Sequence, residues 1–310
     1  MSIQKWLKTI GFVVLSTILS VQTASACDVC GCSVGGSYFG ILPQFQQNFI
    51  GLRYQHRSFN SEHLTLFPGE TPLKTKEIFH TTELWGRYLP HPKVHLFAFV
   101  PFNYFTKDEE GTRFTISGIG DVSLMAHYIV FNTGNDVEKK WKQAFQIGTG
   151  VKFPIGKSNN IQEHSGLLIP SFQAGTGAFD IPFSAIYTIR KGKWGMNAEA
   201  NYRLNLHNKR DYKFGDRITT SVRTFYWYGN KNFTILPHLS VGYEHGFRDT
   251  DRGAEAEYTG NQSVLGGAGF DLYYKRFILN INTQIPLYQH IAQGQITGNP
   301  RLNVGIAFQL

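Results

Sequence analysis

The chain has 310 residues, 42% of them hydrophobic, 15% aromatic and only 17% charged, with 30 Lys and Arg against 22 Asp and Glu. The charged share lies below the ~25% usual for soluble domains, and beyond residue 21 no apolar run approaches the ~18–20 residues of a membrane-crossing helix. The basic excess does not mark a nucleic-acid partner, because no patch interleaves aromatics with Lys and Arg outside the strand pattern described below.

Lys5 and Lys8 precede an apolar stretch over 10–21, and Ala24-Ser25-Ala26 supplies a small-x-small cleavage pattern. This predicts a secretory signal peptide over 1–26, too short to span a bilayer. Removing it leaves 284 residues (310 less 26) and, without Lys5 and Lys8, 28 basic against 22 acidic side chains, a net charge of +6. Residues 27–46 are predicted to form a periplasmic tail that opens with all three cysteines, Cys27, Cys30 and Cys32, in the order C-x-x-C-x-C. Three readings stay open. Closely spaced thiolates suit Cu(I) or Zn(II), with Asp28 adding a carboxylate. A Cys27–Cys30 disulfide, natural in an oxidising compartment, leaves Cys32 odd. Cys27 also stands where a lipid-modified first residue would, although Ala24 occupies a position where such processing favours Leu. The cluster closes almost no loop, so it is no scaffold staple. Gly31, Gly35 and Gly36 loosen the tail enough to reach the barrel mouth or a periplasmic partner.

Twelve stretches then alternate apolar with polar residues, at about 47–58, 77–88, 94–105, 118–131, 143–154, 181–190, 194–205, 216–228, 232–245, 262–274, 276–288 and 300–310. A period of two puts each apolar set on one side of a strand. In 194–205, Trp194, Met196, Ala198, Ala200, Tyr202 and Leu204 oppose Asn197, Glu199, Asn201, Arg203 and Asn205. In the last stretch, Leu302, Val304, Ile306, Phe308 and Leu310 oppose Arg301, Asn303, Gly305, Ala307 and Gln309. That is the pattern of a closing barrel strand. The links alternate in length. Long ones fall at about 59–76, 106–117, 155–180, 206–215, 246–261 and 289–299; between them come links at 89–93, 132–142, 191–193, 229–231 and near Lys275, all very short but 132–142. A sandwich would bury the apolar faces against a second sheet. Long loops on one rim and tight turns on the other instead predict an all-β, antiparallel, up-and-down transmembrane β-barrel of about 12 strands over 47–310, in the bacterial outer membrane. Residues 166–177, with Leu168-Ile169-Pro170-Ser171-Phe172, make a thirteenth strand only by breaking that alternation. They are assigned to the third long loop, either as a surface loop with a local hairpin or as a segment folded inward to narrow the pore.

Three segments, Gly118-Ile119-Gly120-Asp121-Val122, Gly150-Val151-Lys152-Phe153-Pro154-Ile155-Gly156-Lys157 and Phe172-Gln173-Ala174-Gly175-Thr176-Gly177-Ala178-Phe179-Asp180, carry a resemblance. Together they are similar to a broad family of outer-membrane transport proteins that includes barrels associated with the meta-pathway of phenol degradation. The resemblance implies a barrel that passes small solutes, hydrophobic ones included. The cysteine cluster is not part of that family's usual pattern.

Charges facing lipid near the midplane cost ~2–4 kcal/mol each for Arg or Lys, so those within strands are expected to look into the lumen. They are Arg53, Arg57, Arg87, Lys152, Arg190, Arg203, Arg217, Arg223 and Arg301, with Glu83, Asp121, Glu199, Glu244 and Asp271. Two readings stand: cross-strand ion pairs that fill a narrow lumen, or a mildly anion-attracting passage for a small-molecule solute. The eleven histidines show no metal-ligand spacing; His56, His127 and His238 are expected on lumen faces, His80 on the opposite face, and His245 and His290 near the loop rim. Enzymatic features are thin. His56-Arg57-Ser58 has only a superficial His-x-Ser spacing, Asp249 and Asp251 are ordinary loop carboxylates, and no phosphate cradle or nucleophile elbow is present. The expected function is therefore a small-solute channel, not an enzyme. A non-conducting barrel with a structural, adhesion or assembly role is the alternative.

Overall fold

The computed structural model describes residues 47–63, 73–109, 111–134, 136, 138–159, 169–230 and 232–310. The predicted signal peptide, the tail and its Cys27, Cys30 and Cys32 lie outside the described residues.

Twelve antiparallel strands form one closed sheet: β1 (Phe49–His63), β2 (Leu73–His91), β3 (Val94–Glu109), β4 in two pieces (Thr112–Ile119 and Val122–Asn132), β5 (Trp141–Phe153), β6 (Asp180–Lys191), β7 (Trp194–Asn205), β8 (Arg217–Tyr226), β9 (Phe233–Gly246), β10 (Asn261–Tyr274), β11 (Phe277–Ile291) and β12 in two pieces (Ile296–Gly298 and Arg301–Gln309). Each pairs with its sequence neighbours, and β12 returns to β1 in a continuous register from Phe49 opposite Gln309 to His56 opposite Leu302. No edge is left, as lipid demands, because an unpaired backbone group in hydrocarbon has no water to bond. The outer face carries the apolar set. Leu239 is 66% exposed, Leu287 60% and Ile306 52%, exposure that only a bilayer tolerates in such number. Exposed Tyr88, Trp194, Tyr228 and Phe277 ring the periplasmic rim, and Tyr104, Phe183, Tyr202 and Tyr288 the extracellular one. These are the two aromatic girdles of an outer-membrane barrel, and this chain is one.

The strands run further than their alternation predicts. β3 and β4 are joined by a tight turn at Gly111, whose φ of 86° suits glycine, where a long link over 106–117 was expected. β11 continues to Ile291 and a short 3-10 turn, so the expected link over 289–299 also shrinks. Above the bilayer the outer face no longer needs apolar residues: Arg113, Thr115 and Ser117 are exposed while Phe114 and Ile116 pack inward, so the lipid-facing pattern ends while the ladder continues. The third long loop turns inward. Phe172 is 1% exposed and packs edge-on against Phe79 of β2.

Inside, apolar residues form two layers. Phe49, Trp85, Phe97, Phe99, Met125, Ile186, Phe225, Leu236, Tyr273 and Ile278 form a layer around the periplasmic end. Phe59, Phe79, Phe105, Ile291 and Ile296 meet Ile169 and Phe172 of the third loop at the extracellular end. The polar lumen lies between them.

Candidate functional site

The break in β4 starts the site. Gly120 donates its N–H to Pro101 O at 2.8 Å, and the register shifts so that Asp121 turns its carboxylate into the lumen. Asp121 accepts hydrogen bonds from Gly156 N (3.0 Å), Thr176 N (2.8 Å) and Thr176 Oγ1 (2.7 Å). Lys152 of β5 lies 3.0 Å from Asp121 Oδ2 and 2.6 Å from Asp180 Oδ2, and its Nζ also donates to Thr176 Oγ1. Asn103 adds a bond from Nδ2 to Ala174 O at 2.7 Å, while its Oδ1 accepts from Thr81 Oγ1 at 2.9 Å. The loop thus lies latched to the barrel wall through a buried charge network. Its glycines are needed for this: a Cβ on Gly175 would stand 2.7 Å from Gly156 Cα. The three segments that carry the family resemblance, far apart in the chain, meet at Asp121.

Two polar cavities share Arg53, Gln55 and Arg57 of β1. The first, about 110 Å³, lies beneath Ala174 and Gly175; Arg53, Arg57, Lys152 and Arg203 face Glu83 and Asp121 there, with Phe99, Pro101 and Met125 as an apolar side. The second, about 80 Å³, sets Arg53, Arg57, Arg223 and Arg301 against Glu199 and Glu244. Both are smaller than the ~150 Å³ cavity that admits benzene. In this conformation they hold a few waters or a very small solute.

The predicted lumen residues take different parts. Arg53 pairs with Glu83 and stacks over Trp85, its Cζ 5.2 Å from the ring centre. Arg301 Nη1 meets Glu244 Oε1 at 2.8 Å, and Asp271 accepts from Asn280 Nδ2 at 2.8 Å. Glu199 accepts from Asn201 Nδ2 at 2.8 Å and lines the second cavity with Arg223. Arg87 and Arg190 sit lower, away from both cavities. Arg87 donates through Nε and Nη2 to Gln47 O (3.1 and 2.8 Å), clamping the entering chain at the periplasmic end, and Arg190 lies over Trp227. Arg217 stands at the extracellular end of β8, with its guanidinium beside Gly246.

One expectation fails. His56 does not face the lumen: it follows Gln55 and precedes Arg57, both buried inside, so alternation sends it outward beside His80. His127 and His238 do point inward, and His127 Nε2 lies 3.1 Å from Ser184 Oγ. Sequence reading also missed Asp180, Glu77 and Lys107, all buried within the barrel, with Glu77 opposite Lys107 in the β2–β3 register. Asp180 opens its strand, and the other two lie at or beyond the edge of the recognised alternation.

No protein-family model matches the chain, and no curated protein matches it. Among solved structures, an outer membrane channel from Pseudomonas putida F1 is similar over 85% of this chain and 96% of its own, at 14% identity and a TM-score of 0.62. The beta domain of the Bordetella autotransporter BrkA matches 85% of this chain and 100% of its own at 11% identity and a TM-score of 0.48. A Pseudomonas aeruginosa FadL homologue covers 86% and 91% at 10% identity and 0.38. At these identities the likeness is one of fold.

Proposed function

We propose that the barrel is a gated passage for small, preferentially anionic solutes across the outer membrane. The observation that carries this reading is the pair of polar cavities around Arg53 and Arg57, each with four cationic side chains against two carboxylates. A surplus of fixed cations in a low-dielectric lumen attracts anions. The phenylalanine, proline and methionine side of the first cavity suits a solute with an apolar body. Passage requires the third loop to release Phe172 and Thr176. Likeness to an outer membrane channel supports the reading. Purified protein in planar bilayers should give discrete openings with anion preference, more frequent in Lys152→Met, which unlatches the loop. Silence of both proteins would overturn it.

A non-conducting barrel is favoured by one observation, the two apolar layers that bracket the cavities; the same recordings separate the readings. For the tail we propose soft-metal binding by Cys27, Cys30 and Cys32, with Cu(I) preferred over Zn(II), at the mouth facing periplasmic partners. A peptide spanning 27–32 should bind Cu(I) stoichiometrically under reducing conditions. No binding, or acylation of Cys27 by mass spectrometry, removes the proposal.

A further inference from the structure

The outer surface carries a cluster that a solute passage does not use. His56 and His80 face each other directly across the β1–β2 ladder, and Tyr104 stands opposite His80 on β3. His56 Nδ1 and His80 Nδ1 are 3.5 Å apart, and Tyr54 Oη lies 2.6 Å from the same His80 nitrogen. Three heteroatoms therefore converge on one point of the barrel wall. A ring nitrogen offers one lone pair or one proton. The Tyr54 bond occupies it, and 3.5 Å lies beyond a normal hydrogen bond, so hydrogen bonding does not account for the placing of His56.

We propose that His56 and His80, with Tyr54 as a neighbouring oxygen, form a binding site for a divalent late transition metal such as Zn(II) or Cu(II). Two nitrogens at ~2.0–2.1 Å from a tetrahedral ion stand about 3.3–3.4 Å apart, close to the separation seen. Imidazole suits these metals. The ladder sets the two histidines side by side, and a metal takes the His80 lone pair by displacing the Tyr54 hydrogen bond, which leaves the phenol beside the ion. Water and ions reach the site. Below this row the outer face carries exposed Ile50, Leu52 and Leu84, while above it come exposed Asn60, Glu62, Lys74 and Lys76. The cluster thus lies at the boundary of the extracellular leaflet.

The test uses the full mature chain in detergent micelles with Cys27, Cys30 and Cys32 changed to Ser, which silences the tail. Titration with Zn(II) should show one site per barrel, and Cu(II) electron paramagnetic resonance should show two coordinated nitrogens. A group that only orients a metal ligand is worth ~10–100-fold in affinity, so His56→Gln and His80→Gln should each lose about tenfold or more. His290→Gln should bind as before. Both histidines face outward from an intact ladder, and unchanged heat-modifiable gel mobility checks the fold of each variant. Equal Zn(II) affinity in His56→Gln or His80→Gln, or a Cu(II) signal from a single nitrogen, would overturn the site.

Discussion

At the periplasmic end of the lumen, Phe49, Trp85, Phe97, Phe225 and Ile278 project from strands hydrogen-bonded on both sides. At the extracellular end, Phe59, Phe79 and Phe105 do the same, but Ile169 and Phe172 hang from a loop tied down by Asp121, Lys152 and Thr176. The chemistry of the two layers is alike and their mechanics differ. Opening the first means breaking the barrel; opening the second means breaking one buried polar network. A gate is therefore expected only on the extracellular side.

Removing the ammonium of Lys152 attacks that network directly. Lys152→Met leaves the buried Asp121 and Asp180 carboxylates without their shared cation. Loss of one partner of a buried pair typically costs ~3–5 kcal/mol, read as a lower urea midpoint in micelles, and the loop should be released with it. The comparison is sharpened by Phe225→Ala against Phe172→Ala. Truncating a buried phenylalanine in a packed layer costs ~3–5 kcal/mol, and Phe225 should show that loss in barrel stability. Phe172→Ala should cost roughly half as much or less, since its loop is absent from the ladder, and should raise conductance. Equal losses for both would mean that the extracellular layer is as rigid as the other. Leu239→Arg, on the lipid face and outside both layers, should cost about 2–4 kcal/mol without changing conductance.

The smallest effect concerns the loops over the gate. Asp249 accepts hydrogen bonds from Gly215 N (2.7 Å) and Tyr212 Oη (2.6 Å), joining the β7–β8 loop to the β9–β10 loop. Burial pushes its carboxyl above the ordinary 3.8, outweighing these bonds. A raised carboxyl pKa gives stability that is fully present below the ordinary value and lost as pH rises through the raised one. Proteolysis of residues 247–260 should slow on acidification through that window. In Asp249→Asn this dependence should flatten; an unchanged pH profile would assign it to another group.

Much of the barrel was legible because lipid enforces a simple rule on each strand. Trp194, Met196 and Tyr202 point out while Glu199 is buried inside and Arg203 lines the first cavity, and that contrast is written at every second residue. Where the rule lapses the reading lapses. Strand extensions above the bilayer, such as residues 112–117, turn polar Arg113, Thr115 and Ser117 outward and so fall within the link expected over 106–117. His56 turns outward while Arg57 beside it is buried inside, and sequence alone does not separate them, because a histidine is amphipathic enough to suit either face.

Strand periodicity, the girdles and the inward charges follow from the order of residues, since each depends only on the chain alternating between two solvents. The convergence of Gly120, Gly156 and Gly175 at Asp121, the burial of Phe172 and the meeting of His56 with His80 depend on ladder register and barrel closure. Those bring together positions from 24 residues apart, His56 and His80, to 93 apart, Phe79 and Phe172. Such contacts are nonlocal, and no local pattern encodes them.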